Sequence, residues 1–194
     1  MSLNVEPGAG LLYMKVGTHA QETLTDIIAR KTKEIENEGF AFWGYGGSTC
    51  HPTTMVQPFA KTYEQRGRTL YLVMEPMESK HFADPIRADE YSVDGITWNE
   101  IPPAIGALGS RYALVISSLE TQDFELPLNM TKVALGRSEG AAGSKYIKGR
   151  VDKACLEVLS AGSAFPDEER MVKIGLVAEL KRPYAVFLRN RRQS

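Results

Sequence analysis

The sequence predicts a single α/β domain with a mixed, mostly parallel sheet flanked by helices. The chain has 194 residues, a length typical of one domain. Apolar runs over residues 11–16, 40–45 and 69–74 have the length and composition of buried strands. Helical periodicity separates these runs, and strands that alternate with helices are typical of a mainly parallel sheet.

The first helix has the clearest boundary signals in the chain. Thr18 stands at the predicted N-cap, with Gln21 and Glu22 near the third helical position of a capping box. Gly39 stands where a C-cap glycine is expected. Apolar residues recur between these ends at helical spacing, namely Leu24, Ile27, Ile28 and Ile35.

A second helix is predicted over residues 55–63, ending at Gly67. Pro58 leaves its start open, because a proline either begins a helix or kinks one. The later part of the chain predicts a hairpin around Asp94-Gly95, a short helical piece that begins at Pro102 and ends at Gly106 or Gly109, and further strands and one helix. The strands span residues 111–116, 172–180 and 184–188, two weaker strands span 124–128 and 132–135, and the helix spans 147–159.

Composition restricts the function classes. The formal net charge is −1, so no overall charge attracts the chain to nucleic acid or to a membrane. Two cysteines form no disulfide framework, and the N-terminus lacks the pattern of a signal peptide, so a cytoplasmic protein is expected. The predicted domain spans residues 1–194, with a flexible lead-in at 1–9 and a flexible tail at 189–194.

A glycine-rich loop after the second strand is the strongest candidate site. Three glycines within residues 44–47 precede hydroxyl residues and then the second helix. Such a turn lets backbone N–H groups point at one anion, and hydroxyls add further donors. The predicted ligand-binding residues here are Gly46, Gly47, Ser48, Thr49 and Thr53. The spacing matches neither the dinucleotide fingerprint nor the P-loop, so the alternative is a tight turn without a ligand.

A second glycine-rich loop, residues 136–144, supplies Arg137 and, just beyond it, Lys145, Lys148 and Arg150. Arginine and lysine are common partners of phosphate groups. If both loops lie at the same edge of the sheet, they form one site for a phosphorylated small ligand or a nucleotide. The alternative is an exposed loop with solvated charges.

Cys50 and His51 suggest an enzyme instead. A cysteine in a glycine-rich turn is a candidate nucleophile of a hydrolase or transferase. Because adjacent side chains in an extended stretch point apart, its base would be His19 or His81 rather than His51. The alternative is a half-buried cysteine beside a histidine that caps the turn.

Other partners have weaker support. No cofactor is indicated and no metal site is expected, because Cys50-His51 has no second pair at ligand spacing. A protein-interaction module is a third hypothesis, with the 94–95 hairpin or the C-terminal basic patch as contact surface. The patch makes nucleic acid only a minor alternative, and its members are Lys181, Arg182, Arg189, Arg191 and Arg192. A homo-oligomer is compatible with a mixed sheet, whose edges pair readily.

Overall fold

The computed structural model describes residues 5–80, 83–166 and 169–192. These residues form three α-helices: α1 (Leu24–Glu38), α2 (Gln57–Gln65) and α3 (Gly143–Tyr146). They form ten strands: β1 (Gly10–Thr18), β2 (Ala41–Tyr45), β3 (Tyr71–Lys80), β4 (Glu90–Ser92), β5 (Asn99–Glu100), β6 (Tyr112–Ile116), β7 (Glu120–Pro127), β8 (Thr131–Val133), β9 (Lys153–Val158) and β10 (Met171–Arg189).

The prediction of a mostly parallel sheet flanked by helices was wrong. The strands follow the order β2-β6-β10-β3-β1-β9-β8, with β4, β5 and β7 attached beside this path. Within the described residues, the pair β1 and β3 is parallel and the other pairs are antiparallel. Although β2 follows β1 and α1 in sequence, it pairs with β6. The fold is therefore sheet-dominated and mainly antiparallel.

Strand β10 joins the two halves of this sheet. Its first part pairs with β3 and β7, and its last part pairs with β4 and β6. The register with β6 shifts between Leu180 and Ala185. The sequence predicted two strands separated at residues 181–183, whereas the structure has one continuous strand with a register shift in this region.

Helix α1 begins later than predicted. Its N-cap is Thr23, whose hydroxyl accepts a hydrogen bond from the backbone N–H of Asp26. Thr18 instead ends β1, and the turn that follows includes positive φ angles at Ala20 and Gln21. The prediction for Gly39 is confirmed, since it adopts the left-handed conformation and donates to the carbonyl of Ile35.

Helix α2 shows how the chain accommodates Pro58. A π-helical turn over Pro52–Val56 leads directly into α2, and Pro58 lies in the first turn of α2. A proline there removes an N–H group that the helix does not use. No helix in the described part of the chain is long and apolar enough to cross a bilayer.

Residues 147–159 are not the predicted helix. Only Gly143–Tyr146 is helical in this region, and Lys153–Val158 forms β9, which lies between β1 and β8. The predicted helical piece after Pro102 is also absent, because residues 101–109 form turns and irregular structure. The predicted strand pair is confirmed, but residues 93–98 connect β4 and β5 instead of a tight Asp94-Gly95 turn. In this connection the Asp94 carboxylate accepts from two backbone N–H groups.

Alternating side chains divide the apolar residues into three cores. Leu12, Leu72 and Leu114 belong to the core that includes the apolar faces of α1 and α2. The neighbouring residues Leu11 and Val73 belong to a second core on the other face, closed by β7 to β9. A third core lies where the segment before β6 covers β2, β6 and the end of β10. This period-two division fixes which sides of β1 and β2 face the helices.

Both ends of the described chain have contacts. The backbone N–H of Gly8 donates to Val158 at 2.7 Å. At the other end, the Arg191 side chain pairs with Glu90 and Glu100.

Candidate functional site

A cavity of about 580 Å³ lies between the C-terminal end of β1, the strand β2 and helix α1. Residues 14–19 and 42–49 line it as two consecutive runs. Loops 106–110 and 150–153 line its remaining sides. This volume falls in the range of small-molecule sites, about 300–1,000 Å³.

The cavity exists because two strand edges meet there without a strand between them. Strand β9 pairs with residues Gly10 to Met14 of β1 and begins at Lys153, so it does not cover the last part of β1. Among the described residues, β2 pairs with β6 along one edge. Backbone N–H and C=O groups on an edge are available to other partners. The cavity is thus lined by backbone groups as well as side chains.

The predicted glycine loop lies in this cavity. Gly46, Gly47, Ser48 and Thr49 all line it. Gly47 has φ +88°, a conformation that L side chains rarely adopt, and a side chain on Gly46 would meet open space. The Tyr45 hydroxyl donates to the Cys50 carbonyl at 2.6 Å and holds the two ends of the loop together. Burial raises the pKa of Tyr45, which keeps this donor protonated.

Lys153 faces this loop from β9. Its side chain is 7% exposed, and its Nζ lies 3.9 Å from the Cβ position of Gly47. Nζ donates to Asp152 Oδ1 at 2.7 Å and lies 6.0 Å from the centre of the Tyr45 ring. Since an ammonium group has three donors, Lys153 retains hydrogen-bonding capacity toward the cavity.

A network of charged side chains forms the wall on α1. Arg30 donates to both carboxylate oxygens of Glu22, at 3.0 and 2.6 Å, and to Glu34 at 2.9 Å. Lys31 donates to Glu34 at 2.9 Å, and both basic side chains also bond the carbonyl of Gly106. Burial lowers the pKa of Lys31 to about 8, against the opposing effect of the Glu34 charge.

His19, Leu108 and Ser110 form a further polar group in the cavity. His19 Nε2 lies 3.0 Å from the Leu108 carbonyl oxygen and 3.3 Å from Ser110 Oγ. Because a carbonyl oxygen only accepts, Nε2 carries a proton and donates to it. The Ser110 hydroxyl donates to the same carbonyl at 3.1 Å. In this arrangement Nε2 does not act as a base toward Ser110, and the group serves as a hydrogen-bonding wall.

The two predicted catalytic residues lie behind the loop. Cys50 is 1% exposed, and its Sγ lies 4.0 Å from Sγ of Cys155. The hydrogen bond with Cys50, together with burial, raises the pKa of Cys155. His51 packs edge-on against the rings of Tyr112 and Phe187, at 5.5 and 5.3 Å. Among the described residues that line the cavity, neither Cys50 nor His51 occurs.

The other predicted ligand-binding residues are not among the described residues that line the cavity. They are Thr53, Arg137 and Lys145. Thr53 Oγ1 is 3.4 Å from Nδ1 of His51. Arg137 and Lys145 are exposed, although their loop approaches the turn before α2, where a side chain on Gly136 would meet Met55. His81, named as a candidate base, lies outside the described residues.

Sequence reasoning missed most of the charged residues of the site. The basic residues that line the cavity are Lys15, Arg30, Lys31, Arg150 and Lys153, and the acidic residues among the described lining are Glu22 and Asp152. A signal was present at Lys153, where a lysine opens a run of apolar residues and is therefore buried with them. Of the other four, Lys15 lies in β1, Arg30 and Lys31 lie in α1, and Arg150 precedes β9, so only the fold brings them together.

The C-terminal basic patch is partly compensated by carboxylates from other segments. Arg182 pairs with Glu64, and Arg189 pairs with Glu90. Arg191 pairs with both Glu90 and Glu100, so Glu90 accepts from two arginines. The patch therefore presents less positive charge than its sequence suggests.

No protein-family model, curated protein or solved structure matches the chain. What the site does is therefore inferred from its own geometry and chemistry.

Proposed function

We propose that the protein binds a small phosphate-bearing ligand in the cavity between β1 and β2. The observation that carries this proposal is the buried Lys153 side chain, whose ammonium group lies beside Gly47 in the lining of the cavity. Lysine binds phosphate as a mobile point charge, and a glycine turn lets the backbone approach an anion closely. The hydroxyls of Ser48 and Thr49 lie on the same loop and offer further donors.

The charge of the lining supports an anion. Five basic residues outnumber the two acidic ones among the described residues that line the cavity. Arg30 and Lys31 are already paired with the carboxylates of Glu22 and Glu34, so these charges mainly neutralise each other within the wall. Lys15, Arg150 and Lys153 remain for a ligand, with Asp152 as the acidic partner of Lys153. An anionic group is therefore expected at the end of the cavity nearest β9.

Replacing Lys153 tests this site directly. Lys153→Met keeps the length and packing of the side chain but removes its charge, and hydrogen bonds to charged groups contribute about 1.5–3 kcal/mol. We expect phosphate compounds to bind at least about tenfold more weakly to this variant. The measurement is calorimetric titration with inorganic phosphate and ribose 5-phosphate.

The matched control is Lys145→Met, the same substitution at an exposed lysine of α3, just after the second glycine loop. This variant should bind inorganic phosphate and ribose 5-phosphate with the affinity of the wild type. Equal binding by Lys153→Met and the wild type, with both proteins folded, would show that the phosphate site lies elsewhere.

The enzyme alternative has no comparable support. The sulfur of Cys50 packs against Cys155 in the core, where a thiol is poorly placed to attack a ligand in the cavity. We further propose a reducing, cytoplasmic setting, because both thiols are free although they lie close together.

A further inference from the structure

The cavity extends well beyond the space that one phosphate group requires. Six consecutive residues, 14–19, line it along β1. Lys153 is the register partner of Met14, at one end of this run, and Thr18 lies about 13 Å further along an extended strand. His19 and Ser110 follow at that far end. A ligand held by Lys153 therefore has room to reach a second polar group.

The far end offers both hydrogen-bond donors and acceptors. Ser110 Oγ and the Leu108 carbonyl lie together there, beside the ring of His19. The Glu22 carboxylate also lines the cavity, and its side chain is 23% exposed. Carboxylate and carbonyl oxygens accept from N–H groups, whereas a hydroxyl both donates and accepts. This set suits an uncharged group that carries several donors and acceptors.

Apolar side chains also line the cavity, beside the charged network on α1. Phe42 and Trp43 of β2 and Ile27 of α1 line the cavity, together with the edges of β1 and β2. Small-molecule sites combine apolar walls with a few backbone and side-chain polar groups that fix orientation. A heterocycle with donors and acceptors on its edge could use both the apolar side chains and the backbone groups of the two strand edges.

We propose that the ligand is a nucleoside monophosphate. Its phosphate lies at Lys153 and Gly47, and its base extends toward Ser110 and Glu22. This inference rests on the proposed phosphate site and adds to it the class of the group that the phosphate carries.

Calorimetric titration with matched ligands tests this inference. The probes are inorganic phosphate, ribose 5-phosphate and the 5′-monophosphates of adenosine, guanosine, cytidine and uridine. At least one nucleoside monophosphate should bind about tenfold or more tightly than ribose 5-phosphate, because the base makes contacts that the sugar phosphate lacks. If ribose 5-phosphate binds as tightly as all four, the inference is overturned while the phosphate site stands. If no probe binds, both proposals fail.

Two variants separate the ends of the cavity. Ser110→Ala removes one hydroxyl at the far end, and Glu22→Gln removes one charge there while Glu34 still pairs with Arg30. Each variant should bind the favoured nucleoside monophosphate about fivefold more weakly than the wild type does, while its affinity for ribose 5-phosphate should change by less than about twofold. Lys153→Met should weaken both ligands. An equal loss for both ligands in the folded far-end variants contradicts the placement of the base.

Discussion

The Cys50 thiol illustrates how burial limits the chemistry of a single residue. Cys50 follows the glycine loop directly, which is why its sequence position suggests a nucleophile. Its φ angle of +57° turns the side chain away from the loop and toward the core, where it meets Cys155. Reactive cysteines are partly exposed and lie near positive charge, whereas buried ones are inert.

We therefore expect Cys50 to react with a thiol reagent only when the structure opens. In the native protein at neutral pH, labelling by a disulfide reagent should be at least about a hundredfold slower than in urea, because opening precedes reaction. The measurement is the absorbance of the released thiolate over time, with Cys155→Ala used to isolate Cys50. Labelling of the folded protein at the rate of a free thiol would restore the enzyme hypothesis.

Lys31 predicts a specific dependence of stability on pH. Its pKa is about 8 in the folded protein and 10.5 in its ordinary state, because burial disfavours the charge. Between these values the unfolded chain binds more protons, so the free energy of unfolding rises with pH through this contribution. The contribution is constant below pH 8, where Lys31 is protonated in both states. The charges that face it are those of Glu34, Arg30 and Glu22.

Comparison with Lys31→Met isolates this effect. Glu34 keeps its ion pair with Arg30 in the variant, so no carboxylate is left unpaired there. From pH 8 to 10.5 the wild type should gain stability relative to the variant, by about 3 kcal/mol at most. Urea unfolding at several pH values measures the difference, and tyrosine ionisation affects both proteins alike. A difference that stays constant over this range would show that the pKa of Lys31 is not lowered.

At the scale of elements, β9 shows why periodicity alone misassigned a segment. Ala154, Cys155 and Val158 also match one face of a helix, and this spacing led to the predicted helix. In the structure β9 lies between β1 and β8, and side chains on both of its faces are buried. A strand with two buried faces has no alternation to distinguish it from a buried helix. By contrast, α1 has one apolar face and a glycine cap, and the sequence identified both.

The packing of α2 on β1 depends on one glycine. A Cβ atom on Gly10 would lie 2.6 Å from the Tyr63 ring, whose hydroxyl donates to Glu157 at 2.8 Å. Gly10→Ala should therefore lower the free energy of unfolding by about 1–3 kcal/mol, as overpacked core sites do. Urea unfolding measures this loss.

Two further variants control that prediction. A Cβ on Gly162 meets nothing within 4 Å, so Gly162→Ala should change stability by less than about 0.5 kcal/mol. In a Tyr63→Leu background the cost of Gly10→Ala should fall, because the ring that it meets is gone. An undiminished cost there would assign the effect to the backbone instead.

At the scale of the whole molecule, the strand order was beyond the reach of the sequence. Apolar runs identified β1, β2 and β3. The parallel pairing of β1 with β3 agrees with the alternation of strands and helices in this part of the sequence. Nothing local in β2 indicates that its partner is β6, because pairing depends on contacts distant in sequence. The same limit applies to the site. The glycine loop was visible, whereas the charged residues around it come from segments that only the sheet brings together.

The placement of β10 has a consequence for how the chain folds during synthesis. Strand β10 follows β3, β4, β6 and β7 in the chain and is the shared partner of all four. During synthesis on the ribosome these four strands are made before β10, so the edges that pair with β10 stay unpaired until it is synthesised. Pairings distant in sequence also fold slowly, and unpaired strands expose edges that aggregate. The newly made chain should therefore depend on chaperones until β10 has been synthesised, more than a protein in which each strand pairs with one that was made just before it.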